Sequence, residues 1–471
     1  MRSPFRSRDE LEFTSGSVGW PLYHLALPVV ATTLLQTVYN LTDTFWVGRY
    51  GSAELAALTF SFPLVFLFVA LGSGVSAAGR ILVAQHEGAG ERRQASFVAG
   101  QTLAFSTLAA LVVAAIGAVG IGPLFRAMGA APLTRGLALS YMGYILAGLP
   151  LLFLAYTFSA LLQGYGDALT PLLVVLASVL LNLVLDPVLI FGLGPVPTLG
   201  LEGAAIATLF ARGLAAVAGV ALLLSGRVEP TVALADLRPD RAFLGRVARV
   251  GVPASLETGA IAVSVTASLF LVGRFDAAVV AGFGIGERVT SLMFLPAIGV
   301  SAATITMVGQ NLGAGEAARA RRAARLAVVV PLAGLTGVGL LVVVAAEPVA
   351  SVFSTDTAVV GHAADFLRVV GPAYGFEAAA RIYSGVFRGA GRTGVALVVS
   401  GTTFIPVRLG VALVLLGPLG YGPLGVWLGY AVSGVFGAAL GFVTARVVGW
   451  DEALVDDTMG HGEQSPGRNS R

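Results

Sequence analysis

Cysteine is absent from the 471 residues, and so is lysine: all 29 basic residues are arginine. Without cysteine the chain has no disulfide framework, thiolate metal site, iron–sulfur cluster or thiol nucleophile. Only four histidines occur, His24, His86, His362 and His461, scattered and with no HExxH spacing, which removes the helical zinc-hydrolase pattern. Charge is scarce as well. Asp, Glu, Lys and Arg make up 12% of the chain, half the fraction of about 25% usual in soluble domains. A soluble body of this size has more surface than so few polar groups can cover. The formal net charge is +3, with arginines interspersed between apolar blocks, so no nucleic-acid-binding face is formed. There is no Walker A sequence and no TVGYG filter, which speaks against an ATP-driven pump and a potassium-type channel.

What is present is apolar. Hydrophobic residues make up 56% of the chain, with 61 glycines and 26 phenylalanines, and mean hydropathy is +0.85. A membrane helix needs about 20 mostly apolar residues. Twelve runs qualify: 21–47, 54–82, 94–118, 133–157, 168–192, 200–225, 244–272, 278–309, 323–346, 361–386, 393–417 and 423–449. The expected fold class is an all-α polytopic membrane protein with 12 transmembrane helices. With the N-terminus inside, the inner segments hold Arg2, Arg6, Arg8, Arg92, Arg93, Arg227, Arg238, Arg241, Arg246, Arg249, Arg319, Arg321, Arg322, Arg325, Arg388, Arg392 and Arg446. The outer margins hold only Arg49, Arg126, Arg135 and Arg274. That bias puts both termini in the cytoplasm of a multi-pass cell-membrane protein.

The chain repeats itself. Residues 47–58, VGRYGSAELAAL, match 272–283, VGRFDAAVVAGF, a shift of 225. At the same shift Pro28 meets Pro253, Gln85 meets Gln310, Glu91 meets Glu316, and FSALLQGYG (158–166) meets YSGVFRGAG (383–391). Two six-helix bundles related by a pseudo-twofold along the membrane normal are expected. The division reads 1–20 cytoplasmic segment, 21–226 N-lobe, 227–243 cytoplasmic linker, 244–450 C-lobe and 451–471 cytoplasmic tail. Two facing lobes suit alternating access by a secondary transporter.

Ionisable groups deep in a span are costly and mark pathways. Asp43 lies near the outer end of span one, Asp186 near that of span five, and Thr208 about two turns into span six from the same side, so their depths agree. Asn182 precedes Asp186 by one helical turn and shares its face. Two carboxylates, an amide and a hydroxyl are all oxygen ligands. Such a set can hold a proton between carboxylates, or a Na⁺ ion. The coupling ion is therefore H⁺, Na⁺ or both, with no cofactor. Asp43 has no acidic twin, its partner at the 225 shift being Ser268, so the acidic site belongs to the first half. In the second half, Glu377 and Arg381 are one turn apart and can pair, while Glu257 and Arg408 can pair across helices. These four are read as structural ion pairs, with substrate contact or a proton relay as the alternative. Arg80 and Arg212, near inner ends, are expected to snorkel or pair. Pro28 is expected to kink span one and to act as its hinge. Aromatic, polar and sulfur side chains, of which the aromatic and sulfur ones suit organic cations, give a candidate cavity of Tyr39, Asn40, Phe60, Tyr141, Tyr144, Phe153, Tyr156, Phe283, Met293 and Met307.

LPVVATTLLQTVYNLTDTFWVGRYG (27–51), GRILVAQHEGAGE (79–91), LLQGYGDALTPLLVVLASVLLNLVLDP (161–187), GAAIAT (203–208), GQNLGAGE (309–316) and FRGAGRT (387–393) resemble the multidrug and toxic compound extrusion (MATE) transporters, in the DinF-like, archaeal branch. The resemblance covers about residues 18–450. It implies a V-shaped cleft between lobes and export of organic cations, drugs or other amphiphiles, driven by inward H⁺ or Na⁺, rather than enzymatic activity. It implies a first-lobe cation site on Asp43, Asn182, Asp186 and Thr208, a first-lobe tyrosine on Tyr141 or its neighbour Tyr144, and a kinked first helix at Pro28. The NorM-type branch relies on second-lobe acids, to which Glu257 and Glu377 correspond only loosely. The implied partners are a small-molecule substrate and membrane lipids, with no nucleic acid, and the implied state is a monomer. The alternative within the wider superfamily is a flippase of lipids or lipid-linked oligosaccharides.

Overall fold

The computed structural model describes residues 11–129 and 131–451. Arg2, Arg6 and Arg8, and the tail from 452 with its acids, lie outside the described residues. The first half contains α1 (Gly19–Tyr50), α2 (Ser52–Gly88), α3 (Arg92–Ala127), α4 (Pro132–Ala147), α5 (Leu149–Tyr165), α6 (Leu169–Phe191) and α7 (Gly200–Leu224). The second contains α8 (Arg241–Val272), α9 (Ala277–Gly313), α10 (Ala317–Val344), the single-turn α11 (Ala346–Ser351), α12 (Thr357–Val370), α13 (Tyr374–Gly389), α14 (Thr393–Thr402), α15 (Arg408–Leu416) and α16 (Pro423–Val447). Local chemistry sets many of the ends. Asp240 and Asp356 cap α8 and α12 through their side chains, relieving free amide groups of the first turn. Gly166 and Gly192 close α5 and α6 in the left-handed region, which glycine enters without a Cβ clash. Threonines 32, 33, 37, 42 and 44 of α1 each donate to the carbonyl one turn back, so their hydroxyls stay satisfied away from water.

Ten described helices, with Thr393–Leu416 taken as one, are long and apolar enough to cross a membrane. Apolar side chains such as Val119, Phe270 and Val344 are 69–86% exposed on the outer surface, an arrangement suited to lipid rather than water. The chain is a multi-pass membrane protein. Span four departs from the straight run expected over 133–157. It is two helices, α4 and α5, bent by 53°, which make an eleventh span if taken together. Pro150 in the first turn of α5 lacks an N–H, and Gly148 is pressed on Leu209, whose Cδ2 would lie 2.0 Å from any Cβ there. The expected span 361–386 is likewise broken, into α12, a 3₁₀ turn at Gly371–Ala373, and α13. This segment does not meet the same measure of length and hydropathy, because α13 carries Glu377, Arg381 and Arg388. The two breaks are themselves related by the 225 shift. Span eleven contains a π-helical turn, Thr403–Val407, between α14 and α15. Pro28 lies inside α1, which runs unbroken through it.

Contacts between the halves obey the repeat. Gln85 donates to the carbonyl of Gly389 at 3.0 Å, and Gln310 to that of Gly164 at 2.9 Å; each donor and each acceptor is the other's twin. A Cβ on Gly88 would meet the Gln310 carbonyl at 1.9 Å, and one on Gly313 the Gln85 carbonyl at 1.9 Å. Small residues allow this close backbone approach. The connection between the halves is bound to α3. Arg93 grips buried Asp236 through Nη1 and Nη2, at 2.9 and 2.6 Å, and Gln101 donates to the carbonyls of Asp236 and Arg238. The segment before α1 is also anchored, since Asn311 and Arg319 donate to the carbonyl of Phe13.

Candidate cation and substrate sites

One face of α1 presents Gln36, Tyr39, Asn40 and Asp43 to a cavity of about 340 Å³. Tyr141 of α4, Tyr156 of α5, and Thr208 and Arg212 of α7 complete its polar wall. Thr208 Oγ1 donates to Asp43 Oδ2 at 3.4 Å, and Asn182 Nδ2 to Asp186 Oδ1 at 2.9 Å. The carboxyl groups of Asp43 and Asp186 adjoin, with Asn182 and Thr208 beside Asp43. The structure thus brings together all four residues grouped from the sequence. They are deeply buried: Asp43 and Thr208 are 7% exposed, Asn182 1% and Asp186 0%. Among the described residues, Asp43 Oδ1, Asn182 Oδ1 and Asp186 Oδ2 have no hydrogen-bond partner, nor has the Tyr39 hydroxyl. Buried acceptors without donors are costly. A set of such oxygens, two of them carboxylate, is suited to a monovalent cation or a shared proton.

Arg212 corrects an expectation. It neither snorkels to an inner end nor pairs with a carboxylate; it lies in the cavity with its guanidinium 4.6 Å from the Tyr39 ring centre, donating to the Tyr156 hydroxyl at 2.9 Å. Two aromatic rings hold the cation close to Asp43 without a direct ion pair.

The second half carries a different charged cluster. Glu377 Oε1 accepts from Arg381 at 2.8 Å, as their one-turn spacing predicts, and Arg408 lies 3.0 Å from the same oxygen. Arg408 also donates to Ser433 at 3.0 Å and stacks on Tyr430 at 4.1 Å. Glu257 does not pair with Arg408. Its partners are Arg388, through Nε at 2.8 Å and Nη2 at 2.7 Å, and the hydroxyls of Ser384 and Ser400. Arg408 is taken up by Glu377 instead, since α13 and α15 both pack on α16. Two members of these clusters were missed in the sequence. Glu287 of α9 neighbours Arg408, Glu377, Tyr430 and Arg381 and leaves Oε1 without a partner among the described residues; an acid inside an apolar run was the available signal. Arg388 was counted as a loop arginine, although α13 extends through it into the cleft.

The remaining cavity candidates divide. Tyr39, Asn40, Tyr141 and Tyr156 line the first-half cavity, and Phe153 lines a second one beside it. Tyr144 does not join them; it is 36% exposed and donates to Glu202, because α4 turns that face away. Phe283 is core rather than cavity wall, stacked on Trp427 at 5.6 Å, with Met293 packed against the same cluster. Met307 is wholly buried in another cluster, and Phe60 packs on the first-half core. Among the described residues no group of three or more His, Asp or Glu side chains is placed to hold a metal ion.

Comparison with known proteins agrees with this architecture. The MatE family profile matches twice, over residues 28–188 and 253–414. An FAD transporter of Shewanella oneidensis is 31% identical over 369 residues, covering 78% of this chain and 81% of its own. The probable multidrug resistance protein YoeA of Bacillus subtilis is 28% identical, covering 86% of this chain and 89% of its own. Among solved structures, a MOP superfamily transporter from Pyrococcus furiosus, described as having a binding pocket of reversed polarity that suggests a different function, superposes with a TM-score of 0.85 at 26% identity, over 94% of this chain and 98% of that one. On these matches the chain belongs to the MatE family, whose members are polytopic secondary-active transporters and not enzymes.

Proposed function

We propose that this protein is a cation-coupled antiporter that exports organic cations, drugs or other amphiphiles by alternating access, and that it belongs to the DinF-like branch. The carrying observation is the set of unpartnered oxygens on Asp43, Asn182 and Asp186 in one buried site. Asp43 and Asp186 bind the coupling ion, H⁺ or Na⁺; Asn182 orients Asp186, and Thr208 orients Asp43. The twofold match of the family profile supports an N-lobe of 21–226 and a C-lobe of 244–450, each of six spans. In this arrangement α12 and α13 form the tenth span, and the arginine bias places both termini in the cytoplasm.

The cycle follows from charge. The ion offsets one negative charge of the carboxylate pair, α1 repacks above Pro28, and the cleft loses its hold on substrate. Loss of the ion restores a negative site. Coupling requires that each ligand favour a different state. The test is efflux of ethidium from proteoliposomes under an imposed pH or Na⁺ gradient. Asp43→Asn should abolish gradient-driven efflux while the protein still inserts and purifies; an unchanged rate would sink the assignment. A second reading, a lipid or lipid-linked oligosaccharide flippase, is favoured by one observation: Arg80, Arg381 and Arg388 face the cleft.

A further inference from the structure

Two cavities lie between the halves, lined respectively by residues from α2, α5, α9 and α13, and from α2, α8, α9, α13, α14 and the π-helical turn that follows it. They share Arg80, Ile305 and Arg388, so they form one space. Three arginines, Arg80, Arg381 and Arg388, face it against a single carboxylate, Glu257. Glu257 is already saturated by Arg388, Ser384 and Ser400, and Arg381 is held by Glu377. Arg80 is therefore the surplus charge. Its Nη2 reaches only neutral acceptors on α9, the carbonyl of Ala302 at 2.5 Å and the Thr306 hydroxyl at 3.5 Å. Its Nε has no partner among the described residues. Another cation, Arg388, lines both cavities with it. A half-buried guanidinium with a buried, unpartnered Nε beside a like charge is costly unless an anion joins it. The walls beside it are apolar and aromatic, with Phe153 and Tyr156 on one side and Ile261, Ile298 and Phe404 on the other.

We infer that the cavity between the halves contains an anion subsite at Arg80 and Arg388, fitted to a phosphate-bearing amphiphile whose apolar or aromatic body rests against Phe153 and Tyr156. Arginine is suited to this work because its planar fork meets two phosphate oxygens at once. The inference rests on transport through the cleft proposed above and narrows the cargo. It separates two jobs by position: carboxylates at the α1 site for the coupling ion, and arginines at the interface of the halves for the cargo.

The experiment is equilibrium binding of etheno-ADP to the purified full chain in detergent, followed by fluorescence anisotropy. Saturable binding displaced by inorganic pyrophosphate is expected. Arg80→Gln should weaken it by about tenfold or more, the loss of a charge-assisted bidentate contact. Arg80→Lys keeps the charge and should bind more weakly than wild type but more tightly than Arg80→Gln; it also carries the test where the glutamine variant does not fold. Displacement by phosphatidylglycerol but not phosphatidylcholine would assign the anion to a lipid headgroup, and displacement by pyrophosphate alone to a soluble ester. Equal affinity in wild type and a folded Arg80 variant, or no saturable binding to wild type, overturns the subsite. Ethidium efflux that depends on Asp43 but occurs without etheno-ADP binding would remove the subsite and leave the antiporter standing. Binding without such efflux would do the reverse.

Discussion

Glu257 and Arg388 show how much a single residue's partner matters. Glu257 is 2% exposed and accepts two bonds from Arg388 and two from serines. A buried pair is worth little against an apolar replacement, but breaking it leaves an uncompensated charge that costs about 3–5 kcal/mol. Glu257→Gln and Arg388→Gln should each lower the melting temperature of the detergent-solubilised protein markedly, and the double variant should recover much of the loss. Additive losses would show that the two do not act as a pair. The four α1-site residues differ in the same way. The Asn182–Asp186 bond is 2.9 Å and the Thr208–Asp43 bond 3.4 Å, near the limit of a useful hydrogen bond. Asn182→Ala should therefore impair gradient-driven efflux more than Thr208→Ala, and the opposite order would mean that Asn182 does not orient the acid. The site was legible because Asp43 and Asp186 interrupt apolar runs at matching depths. Glu287 obeys the same rule and could have been found. Arg212 could not: an arginine's long stem lets the head reach either the interface or the interior, and only the Tyr39 and Tyr156 rings decide between them.

Among the elements, runs of apolar residues gave ten spans and the bent eleventh, but not the bends within them. An apolar run registers only burial, and a bend such as that at Gly148 leaves hydropathy unchanged. The connection between the halves, read from the sequence only as a linker, is held in place by side chains the apolar pattern does not register. Asp236 is 2% exposed and gripped by Arg93 and by the Ala233 amide. Burial pushes its carboxyl up, but the Arg93 and Ala233 hydrogen bonds outweigh this and hold it below the usual carboxylate range. A lowered folded-state pKa stabilises the fold above the unfolded value near 3.9 and loses that contribution as pH falls through the folded value. Arg93 is largely exposed, so screening limits the effect to about 1–2 kcal/mol. Asp236→Asn should lower the melting temperature at pH 7, and the difference from wild type should shrink below about pH 4. A difference independent of pH would indicate lost packing against Gly100 rather than a lost ion pair.

For the whole molecule the consequential feature is the repeat, because the 225 shift in sequence is also a shift in contacts. Gln85 to Gly389 and Gln310 to Gly164 are one interaction written twice. The glycines beside them let the halves approach until backbones touch, and Arg80 and Thr306 lie on the same seam. Opening the cleft on this side must break both glutamine bonds together, since each ties a long helix of one half to a helix end of the other. Each loss leaves a buried carbonyl unpaired, at about 1–3 kcal/mol. Gln85→Leu and Gln310→Leu should therefore shift the population toward the opened state by similar amounts, and the double variant further. The chain contains no cysteine, so a single Thr306→Cys reports on the seam without background. Thr306 is fully buried, so its thiol should resist a membrane-impermeant maleimide in the otherwise unchanged chain and label faster in each leucine variant, fastest in the double. Labelling that responds to one glutamine and not to its twin would show that the duplicated sequence no longer performs a duplicated task.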